Sequence, residues 1–405
     1  MKLSLSLFCV VALLAVPGGA LLAADKLTVT VSNPGALARP AEVIAVSFAE
    51  IRRRIPDMRF DHLLVKDASG AIVAAQGTNY QPEEHHDNYL DLIFQHDFAA
   101  GEKTATFTIE KTADTVPPFA AKVFARYVPE RFDDFAWEND RVAHRAYGPG
   151  LDSPAAEKSR MISSGVDFWC KRVRYPVVDR WYRKGHYHDD TGEGMDMYDV
   201  GKLRGAGGTG VWDGKSLLVG GNWKTWTVLA NGPIRAVFEL TYDAWDAGNG
   251  VKVSEKKRFI VDAGHNLDQV ESTFDFGAAA PAARGELTVA VGLTRHPKQA
   301  DAILAHNEKG AAWISVWEDF VRKEGAGNLG TGVVLDPAAR FAGFADAADD
   351  RLILAKVRSG APLRYYTGGG WKQSGDFSSR ADWEAYLAAW SKRLAAPTKV
   401  TLSPP

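Results

Sequence analysis

The sequence predicts an all-β protein, a large antiparallel β-sandwich with a C-terminal helix, and three observations carry that expectation. Apolar and polar residues alternate with period two in segment after segment, as half-buried strands require because successive side chains leave opposite faces. Short Gly, Asn and Asp turns separate these segments, the spacing of an antiparallel sandwich. Helical periodicity is confined to one stretch near the C-terminus.

The strands follow in order. K-L-T-V-T-V-S-N (26–33) is the first, and residues 62–76 read as a hairpin turning at Asp67 to Gly70. Tyr89 to Asp97 alternates too, followed by 103–110 and 122–128. After Gly207 come 211–220, 226–229, 234–242, 251–261 and 267–276. Near the end, Trp383, Tyr386, Leu387, Trp390 and Leu394 fall on one helical face, with Ser379 and Asp382 placed as a capping pair. Pro117-Pro118 and 279–284 read as seams, so that an N-terminal β-module (25–115) either precedes the larger sandwich (116–405) or is continuous with it. No fixed-period repeat is present, which argues against a propeller.

Met1, Lys2 and the apolar run from Leu3 to Ala24 have the form of a secretory signal peptide (1–24). Pro17, Gly18 and Gly19 interrupt a run already short for a membrane span. Cleavage at Ala24 would remove Lys2 and leave 47 basic against 50 acidic side chains, a balance that argues against nucleic acid as a partner. The expected location is periplasmic or secreted, with no membrane insertion after signal removal. Cys9 lies in the apolar run without the small residues that precede a lipidated cysteine. Cys170 is then the only cysteine left, so no internal disulfide can form, and after Phe168 and Trp169 it reads as a small buried apolar residue. The 12 tryptophans suit core packing and also suit stacking on sugar rings.

Two stretches concentrate chemistry. R-F-D-D-F-A-W-E-N-D-R-V-A-H-R-A-Y-G-P (131–149) mixes arginines, acids, a histidine and aromatics at a density that neither a surface loop nor an ordinary core explains. H-Y-H-D-D-T-G-E-G-M-D (186–196) has the same character, and the two are expected to meet at one site. If Val142 to Tyr147 is a strand, Arg141, Arg145 and Tyr147 share a face that could grip an anion, since guanidinium forks match carboxylates. The alternative pairs Arg141 and Arg145 with Glu138 and Asp140 in a structural salt-bridge network. In the second stretch, His186, Glu193 and Asp196 could hold a divalent cation, although the spacing matches no standard zinc or calcium loop. General acid–base work by His188 beside Tyr187 is a second reading, and a solvated polar loop a third. The G-A-G-G-T-G run (205–210) lacks the lysine and helix of a phosphate loop, so no nucleotide cofactor is expected. E-E-H-H-D (83–87) reads as exposed charge and Y-Y-T-G-G-G-W-K-Q-S-G-D-F (365–377) as a structural turn or a cleft wall.

D-D-F-A-W-E-N-D-R with its following R-x-Y-G-P, the Y-H-x-D-x-G-E-G-x-D block at 187–196 and the late G-G-W-x-x-S-G-D-F together resemble a secreted bacterial family. That family is filed as a domain of unknown function and is typically encoded in polysaccharide (uronate) utilisation loci. The resemblance implies a galactose-mutarotase-like β-supersandwich and chemistry on uronate-containing oligosaccharides, by a lyase or dehydratase. An acidic oligosaccharide is the implied partner, and no cofactor is expected apart from the divalent cation considered above.

Elimination from a uronate needs its carboxylate neutralised, a base for the C5 proton and an acid for the leaving oxygen. Arg145 or Arg141 is the candidate clamp, with Glu138, Asp140 and Trp137 completing the substrate site. His188 and His144 are candidate bases, and Tyr147 or Tyr187 the candidate acid. A glycoside hydrolase using two of Glu138, Asp140, Glu193 and Asp196 is the rival enzyme, and a non-catalytic acidic-sugar-binding protein the rival without chemistry.

Overall fold

The computed structural model describes residues 25–80, 89–277, 285–296, 303–308, 311–320 and 326–404. The stretch expected to be a signal peptide (1–24), the 83–87 charge run and the 279–284 seam lie outside the described residues. The architecture is all-β and antiparallel, as expected, with strands grouped in five sheets among the described residues.

Near the N-terminus, strand Lys26–Ser32 lies between Thr104–Lys111 and the C-terminal strand Lys399–Ser403, in a sheet continued by Leu63–Asp67 and Ile72–Val73. The second layer is Arg39–Ser47, Asp91–Phe98 and Ala75–Thr78. Alternation supplies one apolar face to each layer, and Val29, Phe107 and Ile109 meet Ile44 and Phe94 in a common core. The hairpin turns at Asp67, whose carboxylate accepts from the Ser69 and Ala71 N–H groups. Its second arm stops at Val73, because Ala75–Thr78 crosses to the other sheet.

The rest of the chain builds an eight-stranded sheet from Thr225–Asn231 to Ile303–Glu308 and two five-stranded sheets. One of these contains Ala206–Trp212, Glu286–Thr294 and Asp350–Arg358; the other contains Phe124–Val128, Asp134–Glu138, Val142–Ala146, Val166–Lys171 and Gly194–Met195. A single core joins all three, with Trp137, Phe238, Phe259, Val270, Val291, Ile353 and Tyr365 at its centre. Helix Arg380–Ala395 is capped by Ser379, whose hydroxyl accepts from the Asp382 N–H. It buries Trp383, Leu387 and Trp390 against Leu267, Val334 and Tyr366 of the eight-stranded sheet. No helix among the described residues is long and apolar enough to cross a membrane.

The glycine-rich run at 205–210 enters a strand: a Cβ on Gly207 would lie 2.4 Å from Thr367 Oγ1, so the run packs closely on the neighbouring sheet. The 365–371 segment is likewise strand, within Pro362–Trp371, and the chain turns after it through a 3-10 helix at Lys372–Ser374. Cys170 is fully buried in the strand Val166–Lys171.

Candidate functional site

Strand Val142–Ala146 runs between Val166–Lys171 and Asp134–Glu138, and all five of its residues are buried. One face of this sheet packs on the central core; the other is covered by the short helix Val178–Lys184 and the loop that follows it. Period two sends His144 to the core face and Arg145 to the covered face. Arg145 stands directly across from Asp167 in the register, and its Nε donates to Asp167 Oδ2 at 2.6 Å. Its Nη2 donates to Asp196 Oδ2 at 2.9 Å, and its Nη1 lies 3.7 Å from Asp134 Oδ2. Arg131 adds a bond to Asp134 Oδ1 at 3.1 Å. The guanidinium also lies over the rings of Tyr147, Trp169 and Tyr187 at 5.6, 5.3 and 5.7 Å.

Three buried carboxylates thus share two guanidiniums. Despite burial, Asp167, Asp196 and the other acids hold the Arg145 pKa well above its ordinary value. One negative charge is left in excess, and it has a physical signature. Burial, followed by repulsion from Asp167, pushes the Asp196 carboxyl well up against the opposing pull of Arg145. Burial raises Asp134 to about 6 even with Arg145 and Arg131 beside it.

The second stretch closes over this cluster. The Asp196 N–H donates to the Tyr187 carbonyl at 2.8 Å, pinching 187–196 into a loop. Tyr187 stacks on Trp169 (centroids 5.2 Å apart) and its hydroxyl accepts from Arg145 Nη1 at 3.3 Å. His188 Nδ1 lies 2.9 Å from the Asp196 carbonyl and 3.4 Å from Asp196 Oδ2. Bonding to a carbonyl puts the proton on Nδ1, which makes Nε2 the basic nitrogen. The His188 side chain is 57% exposed, whereas Asp196 is buried beneath it. The two stretches therefore meet as expected, with Arg145 and His188 bonded to the same aspartate.

Several expected roles do not fit these positions. Arg145 is only 6% exposed and committed to carboxylates of its own chain, so it anchors the site and does not clamp a substrate. The network around it uses Asp134, Asp167 and Asp196 in place of Glu138 and Asp140. Arg141 leaves the cluster and donates to Asp376 Oδ1 at 2.6 Å, an acid it shares with Arg174. Tyr147 is buried, and burial raises its phenol well above the usual range. Trp137 is a core residue whose Nε1 donates to Asp268 at 2.7 Å. Asp140 accepts from the Gly264 N–H at 2.6 Å. The cation set disperses: Glu193 is held by Tyr175, Arg180 and Trp181, and Asp196 by Arg145, while His186 stands exposed. No group of three or more metal-ligating side chains occurs among the described residues.

Glu138 is fully buried and does structural work. It accepts from the Val177 and Val178 N–H groups, fixing the start of helix Val178–Lys184, and from Lys171 Nζ at 2.7 Å. Burial lowers the Lys171 pKa, with Glu138 opposing it. Lys171→Met strands this carboxylate, and we expect a loss of about 3–5 kcal/mol in chemical denaturation; a cost under about 1 kcal/mol would contradict the pairing.

His144, the other candidate base, sits in the core on the opposite face from Arg145. It stacks on Trp137 and donates from Nδ1 to the Asp167 carbonyl at 2.9 Å. Its Nε2 is 3.7 Å from Asp268 Oδ2. Burial depresses His144 to about 4 and raises Asp268 to about 7, so at intermediate pH the proton rests on the acid and both groups are neutral. For Asp268 the folded pKa lies above the unfolded one. Its stabilising contribution is full below the unfolded value and is lost as pH rises through about 7. Asp268→Asn stays neutral throughout, so it should gain stability relative to wild type between pH 4 and pH 8, by on the order of 4 kcal/mol. A difference that is flat with pH would show that Asp268 is ionised in the fold.

Asp134, Asp167, Trp169 and Tyr182, whose hydroxyl donates to Asp134 Oδ2 at 3.2 Å, complete the site without having been singled out in the sequence. Asp167 did leave a signal: a lone acid within G-V-D-F-W-C, where only a paired charge is tolerated. Asp268 in N-L-D-Q-V is the same kind of mark.

Similarity to solved structures is consistent with the sheets described. Over 95% of its length the chain is similar to a protein of glycosyl hydrolase family 38 from Enterococcus faecalis (TM-score 0.54, 10% identity). It is similar over the same share to an alpha-mannosidase from Enterococcus faecalis V583 (TM-score 0.53, 10% identity). The chain spans about half the length of these proteins, 48% and 46%, and the likeness is one of fold. The chain belongs to the family described as Domain of unknown function (DUF4861), which matches residues 31–400. A relative is the uncharacterized protein P7 of Formosa agariphila, 31% identical over 388 residues, covering 92% of this chain and 93% of its own.

Proposed function

We propose that this protein is a secreted or periplasmic carbohydrate-active enzyme that acts on uronate-containing oligosaccharides by β-elimination, as a lyase or dehydratase. The observation that carries the reading is the exposed His188 ring, oriented by a buried aspartate that Arg145 holds in place. A histidine so oriented can serve as a general base. In the elimination, His188 takes the C5 proton, the C4–O bond breaks as the C4=C5 bond forms, and Tyr187 protonates the departing oxygen. Tyr187 lies beside the imidazole, centroids 4.7 Å apart, and its hydroxyl accepts from Arg145 Nη1 at 3.3 Å.

Neutralising the substrate carboxylate falls to exposed cations. Arg180, Arg183 and Lys184 of the helix Val178–Lys184 surround an open depression of about 460 Å³ together with Thr191 and Glu193 of the loop that carries His188. The fold shared with glycosidase-containing chains and the mutarotase-like resemblance support a carbohydrate substrate, without fixing the reaction. Hydrolysis by a carboxylate pair is the weaker reading, because Glu138 and Asp196 are both buried and engaged in ion pairs.

Incubating the protein with pectic, ulvan and glucuronoxylan oligosaccharides tests the proposal. Growth of the ultraviolet absorbance of a conjugated unsaturated uronate is the expected result. New reducing ends without that chromophore would replace elimination by hydrolysis, and binding without any product would replace the enzyme by a lectin-like protein.

A further inference from the structure

Most of the 12 tryptophans serve the core, and one does not. Nine are buried, Trp212 and Trp245 are partly buried, and Trp226 alone is exposed, at 41%. It lies on Thr225–Asn231, the edge strand of the eight-stranded sheet, opposite Leu240 in the register. Leu240 points into the core, and Trp226 leaves the sheet on the same side. At the rim it meets the neighbouring sheet at its own edge strand, Phe124–Val128. There the indole stacks on Tyr127, centroids 5.3 Å apart and planes 18° from parallel. Tyr127 covers one face of the indole, so the exposed area belongs to the other face and the outer edge.

The polar member of this platform is Asp133. Its Oδ1 accepts from the Tyr127 hydroxyl. Among the described residues no cation pairs with this partly exposed acid, and its Oδ2 accepts no hydrogen bond. The backbone is held in place for it at a conformational cost. Phe132 and Asp133 both lie in the left-handed region, at φ 51° and 63°, which residues with a Cβ avoid. Two glycines make room for the turn. A Cβ on Gly148 would come within 1.6 Å of the Asp133 carbonyl oxygen, and one on Gly150 within 2.7 Å of the Phe132 backbone. Backbone strain of this kind gathers at ligand clamps and active sites.

The chemistry of the pair says what it fits. An open aromatic face takes the C–H face of a sugar ring, and an ionised carboxylate accepts from its hydroxyls. The charge decides between sugar classes, because an unpaired carboxylate repels a uronate. Lys224, the basic residue nearest to Trp226 in the chain, lies 4.0 Å from Asp243. We propose that Trp226, Tyr127 and Asp133 form a surface subsite for one neutral pyranose, with a C–H face on the indole and hydroxyls donating to Asp133. His188 and Asp196 take no part in it, so it stands apart from the elimination reading.

Heteronuclear NMR of the full chain tests this, with the Trp226 indole N–H assigned by its absence from Trp226→Ala. Glucose, galactose, xylose and rhamnose are titrated in turn, with glucuronate as the charged control. At least one neutral sugar should shift that resonance saturably, and glucuronate should bind at least fivefold more weakly. By calorimetry, binding should be lost in Trp226→Ala and weakened at least fivefold in Asp133→Asn. Asparagine tolerates left-handed backbone, so the second variant keeps the turn and carries the test if the first does not fold. His188→Gln should bind the sugar as the wild type does, whatever its effect on uronate turnover. The proposal is overturned by the lack of a saturable shift with every neutral sugar, by equal binding of glucuronate, or by full-strength binding in either variant. A dimer that dissociates on Trp226→Ala would overturn it too, by giving the exposed indole to a second copy of the chain.

Discussion

Arg145→Ala should cost about 3–5 kcal/mol of stability, because it leaves Asp134, Asp167 and Asp196 buried with only Arg131 to oppose them. Removing one member of a buried ionic cluster costs more than the cluster itself contributes, since the remaining charges keep their desolvation penalty. The variant should also lose the support beneath Tyr187 and Asp196, so turnover should fall with stability. Arg145→Lys should recover only part of the loss. An ammonium lacks the planar fork that reaches Asp167 through Nε and Asp196 through Nη2 together, and it stacks less well over Trp169. Urea denaturation of the three proteins, read by far-ultraviolet circular dichroism, measures both effects. An alanine variant within about 1 kcal/mol of wild type would mean that the cluster is solvated or relaxes freely.

His188→Gln should behave in the opposite way, reducing turnover of the substrate by about 10²–10⁴-fold while leaving stability within about 0.5 kcal/mol. The contrast follows from position: the ring is more than half exposed, and its contacts include Asp196 and the neighbouring tyrosine. The loss should fall on kcat rather than KM, because a base acts in the transition state. Asp196→Asn should retain the bond from His188 Nδ1 to the backbone and weaken only the carboxylate contact. A loss in kcat smaller than that of His188→Gln is the outcome expected for an oriented histidine. Equal turnover in wild type and His188→Gln would remove His188 from the chemistry.

Much of this molecule could be read from residue order alone, and the physical reasons are specific. Strands such as Lys252–Asp262 alternate cleanly because one side is buried and the other is wet. The helix Arg380–Ala395 was legible from its capping pair and apolar stripe. The meeting of 131–149 with 186–196 was legible as well, since so many charges are tolerated beside aromatics only where they neutralise one another. Face assignment in Val142–Ala146 was not. Both faces of that strand are buried, so alternation separates His144 from Arg145 without saying which of them looks toward a substrate. The partners of Arg145 were equally hidden, because Asp167 becomes its neighbour only through strand register. The closing of the N-terminal sheet by Lys399–Ser403 depends on a pairing between the two ends of the chain, which no local pattern encodes.

The most direct test follows the His188 ring by NMR while acidic and neutral oligosaccharides are titrated into the protein. A uronate-containing oligosaccharide should shift its Hε1 resonance saturably, and the same shift should vanish in a variant carrying Arg183→Ala and Lys184→Ala. A ring signal that ignores every acidic oligosaccharide, while the protein binds them elsewhere, would contradict the assignment of this exposed histidine to the substrate.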